Sequence, residues 1–221
     1  MRRAAPAWVC ILLAAALAAQ LAWHAASSAP RASGETLPPA PAAGALRLAA
    51  FGEAQAASRL SMLYLQGYDL HTLDYARLTG WLRALLELDP RGQYPLFAAA
   101  RVYAEIPDPA RSRRMLEFVH QQFLLDPNRR WPWLAHAALL AKHRLHDLPL
   151  ARRYAAAIDR HTTAADVPLW ARQMEIFILE DMNELDAARI MLGGLLASGR
   201  ITDPGEAAWL KQRLEALEAR R

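Results

Sequence analysis

From about Ala49 onward, apolar residues recur at three- and four-residue intervals, the spacing that places side chains on one face of a helix. Ala, Leu, Arg and Glu dominate this stretch and β-branched residues are sparse, which favours helix over strand. The helical stretches are broken by short polar segments: Pro107-Asp108-Pro109, His146-Asp147-Leu148-Pro149 and Asn183-Glu184. Asp108 and Asp147 are placed to act as helix N-caps. The pattern predicts an all-α chain of helical hairpins.

The hairpins repeat. Leu78, Leu82, Leu85 and Pro90 are separated by 4, 3 and 5 positions, and so are Met115, Val119, Gln122 and Pro127. Ala151, Ala155, Ile158 and Thr163 follow the same spacing, then Ala188, Leu192, Leu195 and Arg200. The last members of successive sets lie 37, 36 and 37 residues apart. Each set marks one buried face of a helix and its stop. Two of them close in Leu-Asp-Pro, at Leu88-Asp89-Pro90 and Leu125-Asp126-Pro127, where proline opposes continuation of the helix. The preceding helix of each later unit has its own signature: Leu96, Ala99, Ala100, Tyr103; then Leu134, Ala137, Ala138, Ala141; then, more loosely, Trp170, Gln173, Met174, Phe177. Small central residues let a partner helix approach closely. Leu82, Leu85, Ala99, Ala100, Tyr103, Ala138, Ala155 and Leu192 are expected in the core.

This arrangement resembles the tetratricopeptide repeat family, whose unit is a helical hairpin of about 34 residues with large and small residues at set positions. The resemblance covers about Leu60 to Arg200 in roughly four units, with a longer stride, two retained closing prolines and no glycine at the usual place in the first helix. It implies a right-handed stack of hairpins and a protein–protein scaffold, commonly with a groove lined by the first helices. No catalytic residue comes with it. Asp203-Pro204-Gly205-Glu206 followed by Leu210, Leu214 and Leu217 predicts a C-terminal capping helix over 203–221.

The N-terminus departs from the hairpin pattern. Arg2 and Arg3 precede a run from Ala4 to Trp23 broken only by Pro6 and Gln20, and crossing a bilayer takes about 20 apolar residues. Trp8 and Trp23 stand near its ends, and the flanking arginines favour a cytoplasmic N-terminus. Residues 1–23 are therefore read as a signal anchor, a single transmembrane helix that exports the remainder. Secretion after cleavage is the alternative, with Ala16-x-Ala18 or Ala25-x-Ser27 as the site. Residues 24–48, rich in Ala, Ser, Pro and Gly, predict a disordered linker spanning on the order of 25–30 Å. The repeat domain occupies 49–202.

Charge narrows the partner. The 221-residue chain holds 26 basic and 22 acidic residues. Arg2, Arg3, Arg31 and Arg47 lie in the first 50 positions against Glu35 alone, which leaves 22 basic and 21 acidic residues beyond them. A domain so nearly neutral offers no broad footprint for a phosphate backbone, and no nucleic-acid partner is expected. Cys10 is the only cysteine, so the domain forms no internal disulfide.

Candidate chemistry is thin. His136, His143, His146 and Asp147 recur at helical spacing without converging into a ligand set, and are read as packing or surface residues; no metal or cofactor is expected. Glu175, Glu180, Asp181, Glu184 and Asp186 lack an accompanying nucleophile pattern. Two basic groups are candidate partner sites: Arg111, Arg113 and Arg114 in the first turn of a helix, where positive charge opposes the macrodipole and a solvated surface run is the competing reading, and Arg129-Arg130-Trp131, where the competing reading is structural, with Pro132 beginning a helix and Trp133 packing. Arginine and tryptophan often carry interface energy. The expected function is a non-catalytic, membrane-tethered scaffold of a bacterial cell envelope. It would sit in the inner membrane with its domain outside the cytoplasm and bind an envelope or inner-membrane protein. An envelope hydrolase, or a lipid- or glycan-binding protein with a site between repeats, is the alternative.

Overall fold

The computed structural model describes residues 7–26 and 36–219; the side chains of Ala7, Cys10 and residues 24–26 lie outside that description. Among the described residues there are eleven α-helices, one 3-10 turn at Tyr103–Glu105 and no strand. The chain is all-α, as the hydrophobic pattern predicts.

α1 covers Ala7–Ala26, and its described large side chains, from Trp8 to Trp23, are 57% to 73% exposed. No helix among the described residues is long and apolar enough to cross a membrane. Arg2 and Arg3, on which the expected orientation rests, lie outside the described residues.

The segment expected to be linker differs from its composition over residues 36–48. Residues 36–42 form no regular secondary structure and bury Leu37, which is 1% exposed. A short α2 follows (Ala43–Ala49). The strap is held by α4 (Tyr75–Leu88), where Arg77 Nη1 donates to the Leu37 carbonyl at 2.6 Å and Trp81 Nε1 to the Pro38 carbonyl at 2.9 Å. Composition missed it because the prolines that rule out a helix also stiffen the strap and lower the entropy cost of docking it.

Beyond α2 come α3 (Ala54–Gln66), α4, α5 (Tyr94–Arg101), α6 (Pro109–Leu125), α7 (Pro127–His143), α8 (Leu148–His161), α9 (Leu169–Asp181), α10 (Leu185–Ala197) and α11 (Pro204–Glu218). Their starts follow local chemistry. Asp74, Asp108, Asp147 and Asp203 each accept hydrogen bonds from first-turn amides, which otherwise lack partners. The turns into α8 and α10 use the left-handed residues His146 (φ 52°) and Asn183 (φ 60°), which stand one 37-residue stride apart.

Each helix from α3 to α11 packs on its chain neighbours, and α4 also touches α6, α5 touches α7, and α7 touches α9. The eight residues expected in the core are all at most 2% exposed. One helix is out of register. In α9, Trp170 is 54% exposed and Phe177 half-buried, while Gln173 and Met174 are buried as expected; a buried face of Ala171, Met174, Glu175 and Ile178 keeps the 3, 1, 3 spacing one residue later. The size of Trp170 suggested the buried position, yet alanine fills it. Glu175 consequently stands where Ala100 and Ala138 stand in the earlier helices, and Arg152 Nε reaches its Oε1 at 3.0 Å. α9 also divides the core: Ala171, Met174 and Ile178 join the large cluster that begins at Leu37, whereas Ile176 and Leu179 pack with Ala188, Leu192, Leu210 and Leu217.

α7 starts five residues earlier than expected. Asp126 and Pro127 supply its onset, and Pro132 lies inside it. The Arg129–Trp133 stretch is therefore a helical turn and no hairpin junction.

Candidate partner-binding groove

The second helices of the pairs, α4, α6 and α8, lie side by side and leave an open groove of about 600 Å³. Thr79 and Arg83 come from α4, and Leu150 and Arg153 from α8. α6 supplies Ala110, Arg113, Arg114, Glu117 and Gln121, positions three and four apart on a single face. Phe118, 2% exposed, forms the floor. The groove continues at both ends. A hollow of about 330 Å³ shares Ala110 and Arg114 with it and reaches Leu73 and Tyr75; another of about 370 Å³ shares Arg83 and reaches Pro90, Gln122 and Arg130.

Four arginines face one acid in the central groove. Two of the arginines are engaged. Arg113 Nη1 lies 2.5 Å from Asp147 Oδ2, and this hydrogen bond, with one from the Leu150 amide, holds the Asp147 carboxyl below the usual carboxylate range. Arg153 pairs with Glu117, and its guanidinium lies 5.2 Å from the centre of the Tyr154 ring. Arg83 and Arg114 have no hydrogen-bond or ion-pair partner among the described residues, and they stand where the central groove meets its two extensions. Two unpaired guanidiniums over an apolar floor make a surface suited to anionic groups on a partly apolar ligand. Beneath the groove, His120 Nδ1 is buried without a hydrogen bond, 3.7 Å from Glu117 Oε1, and burial pushes its pKa down.

The six residues singled out in the sequence separate. Arg113 and Arg114 line the groove. Arg111 is tied down by donating to the His71 carbonyl at 2.6 Å, pairing with Asp108 at 3.2 Å and lying over the Tyr75 ring. Arg129 makes an exposed pair with Asp126 at 3.1 Å. Trp131 packs edge-on against Trp170, with 5.5 Å between ring centres. Arg130 is not a surface residue: it is 4% exposed and donates to the Gln122 and Pro90 carbonyls at 2.7 and 3.2 Å and to Gln122 Oε1 at 3.2 Å. The reason is positional. In the first turns of α7 its side chain points at the end of α6 and the turn after α4, whose carbonyls lack helix partners.

The acidic cluster likewise disperses into ion pairs: Glu175 with Arg152, Glu180 with Arg213, Asp181 with Lys142 and Asp186 with Arg189. His136 contacts Glu105 and Arg101, and no group of three metal-ligating side chains occurs among the described residues. Arg83 and Arg153 were not identified from the sequence. A signal was present for Arg153, since Glu117 and Arg153 stand one 36-residue stride apart with opposite charge, as cross-hairpin partners would.

Compared with family models, curated proteins and solved structures, the chain matches none.

Proposed function

We propose that this chain is a membrane-tethered, non-catalytic interaction scaffold of a bacterial cell envelope, built as a right-handed stack of four degenerate tetratricopeptide-like hairpins capped by α11. The observation that carries the binding role is the α4–α6–α8 groove, with Arg83 and Arg114 above the buried Phe118 and unpaired among the described residues. The repeat reading draws on the 37, 36, 37 stride and the burial of equivalent positions. The groove lies on the second helices, whereas the family commonly uses the first. The tether reading draws on α1, twenty helical residues with an exposed apolar surface. Such a surface has a favourable home in a bilayer. The docked strap then starts the rigid domain close behind the membrane, with only residues 27–35 between α1 and Thr36.

A photo-crosslinker placed at the exposed Gln121 of the full chain in its membrane tests the binding role. A discrete protein adduct is expected there; adducts formed from Tyr94 on α5 but never from Gln121 would overturn the groove assignment. Protease added to spheroplasts tests the topology. Digestion of the domain is expected, and full protection would overturn export.

A further inference from the structure

We infer that the groove takes an acidic peptide segment of a protein partner, held by carboxylates on Arg83 and Arg114. This inference rests on the scaffold reading and names its ligand. Length fits first. α4 is fourteen residues long, which at about 1.5 Å per residue makes a wall of roughly 21 Å, the span of about six extended residues. The two extensions make the groove run along that wall rather than close around a small molecule.

Charge decides the chemistry. The central groove's excess is positive, and of the acids lining its extensions Asp74 and Asp126 are paired with Arg77 and Arg129, with Glu87 beside Arg83; two of the four central arginines already have carboxylate partners inside the protein. That arrangement displays the ligand it prefers: Asp147 and Glu117 are carboxylates seated on arginines of the same groove. A guanidinium fork matches a carboxylate with two parallel N–H donors, so Arg83 and Arg114 present two further seats of the same kind. The apolar floor at Phe118 and the side wall at Leu150 suit a peptide's intervening side chains. A nucleic acid would instead need a field extending beyond the groove, and the chain beyond residue 50 carries a net charge of only +1. A lipid surface is flat, whereas these guanidiniums line a cleft.

Glu117 has a defined part in this arrangement. It occupies Arg153 from within and places a negative charge beside the ligand's path. Removing its charge releases a third guanidinium and removes a repulsion, so it limits how tightly the groove holds an acidic segment.

The test uses the full chain in nonionic detergent with a fluorescein-labelled hexaglutamate peptide. Hexaglutamine, hexathymidylate and short-chain phosphatidylglycerol serve as competing probes. Hexaglutamate should bind, hexaglutamine should not, and raising salt from low to physiological strength should weaken binding. R83Q/R114Q should lower hexaglutamate affinity about tenfold, the loss of two solvent-exposed charge-assisted contacts. E117Q should raise it several-fold. Neither Arg83 nor Arg114 has a partner to lose among the described residues, so the double variant should melt as the parent does. No hexaglutamate binding, equal binding by R83Q/R114Q, or weaker binding by a folded E117Q would overturn the inference. Tighter, arginine-dependent binding of hexathymidylate or phosphatidylglycerol would overturn it in favour of those ligands. A protein adduct retained at Gln121 alongside any of these results would remove the acidic-peptide assignment and leave the scaffold reading standing.

Discussion

Replacing Arg130 by alanine should destabilise the domain strongly, although the residue belongs to a sequence that reads as a binding patch. Its guanidinium joins three elements: the turn after α4 through the Pro90 carbonyl, the end of α6 through Gln122, and α7 on which it stands. Removing it strips two backbone carbonyls and one amide oxygen of a charged donor. A hydrogen bond to a charged group contributes about 1.5–3 kcal/mol. Two effects reduce the sum. The adjoining hollow admits water to the freed carbonyls, and the buried, unpaired Arg130 Nε represents a desolvation cost that disappears with the side chain. The net loss expected is about 2–4 kcal/mol, or roughly 5–15 °C in Tm for a chain of this size. Thermal and urea unfolding of the full chain, followed by far-UV circular dichroism, measures it. Arg129→Ala is the internal control, because its pair with Asp126 is exposed and contributes at most about 1 kcal/mol. Arg130→Ala melting within about 2 °C of the parent, or Arg129→Ala costing as much as Arg130→Ala, would refute the reasoning.

Three further outcomes follow from the same structure. Leu37→Ala should release the strap, so that deuterium uptake rises across residues 40–50 and stays unchanged in α6 to α8; unchanged uptake over 40–50 would show that the clamp by Arg77 and Trp81 does not depend on Leu37. Ala100→Leu should destabilise by about 1–3 kcal/mol through overpacking at a fully buried position, read as a lower urea midpoint, and an unshifted midpoint would mean that α5 can move away from its neighbours. Acid should weaken the fold through His120 and His136. Burial is the main cause that depresses both pKa values; Glu117 and Glu105 pull them back up, while Arg153, His161 and Arg101 push them further down. The unfolded chain therefore takes up protons first, as pH falls through about 6.5. The stability these residues contribute is present above that value and is lost as pH drops toward their folded pKa values. The urea midpoint should fall between pH 7.5 and 5.5, and should fall less in H120F/H136F; equal slopes would exclude the two histidines as the cause.

Read alone, the sequence established the helical class, the caps at Asp108, Asp147 and Asp203, and the part of the core that recurs at the repeat spacing. Those features are set by residues within one or two turns of each other: an aspartate that caps the amides just after it, a 4, 3, 5 spacing that forms one buried face, a proline that stops or starts a turn. The chain also announced Arg113 and Arg114 as candidates, because three arginines near a helix start are a local anomaly, although α6 begins at Pro109 and both fall in its second turn. Other features required the tertiary structure. Whether an arginine is free or engaged depends on what stands opposite it, and Arg130 finds its acceptor at Pro90, forty residues away, while Arg153 finds Glu117 thirty-six residues away. Trp170 and Ala171 compete for one buried position in α9, and only the packing of α8 and α9 selects the alanine. Leu37 lies in a stretch whose composition predicts disorder, yet α4 offers it a socket and two donors. The groove belongs to the same class: Arg83, Arg114 and Phe118 become one surface only when α4 and α6 pack side by side, because helix periodicity fixes which face a residue takes and the stacking of hairpins fixes which faces meet.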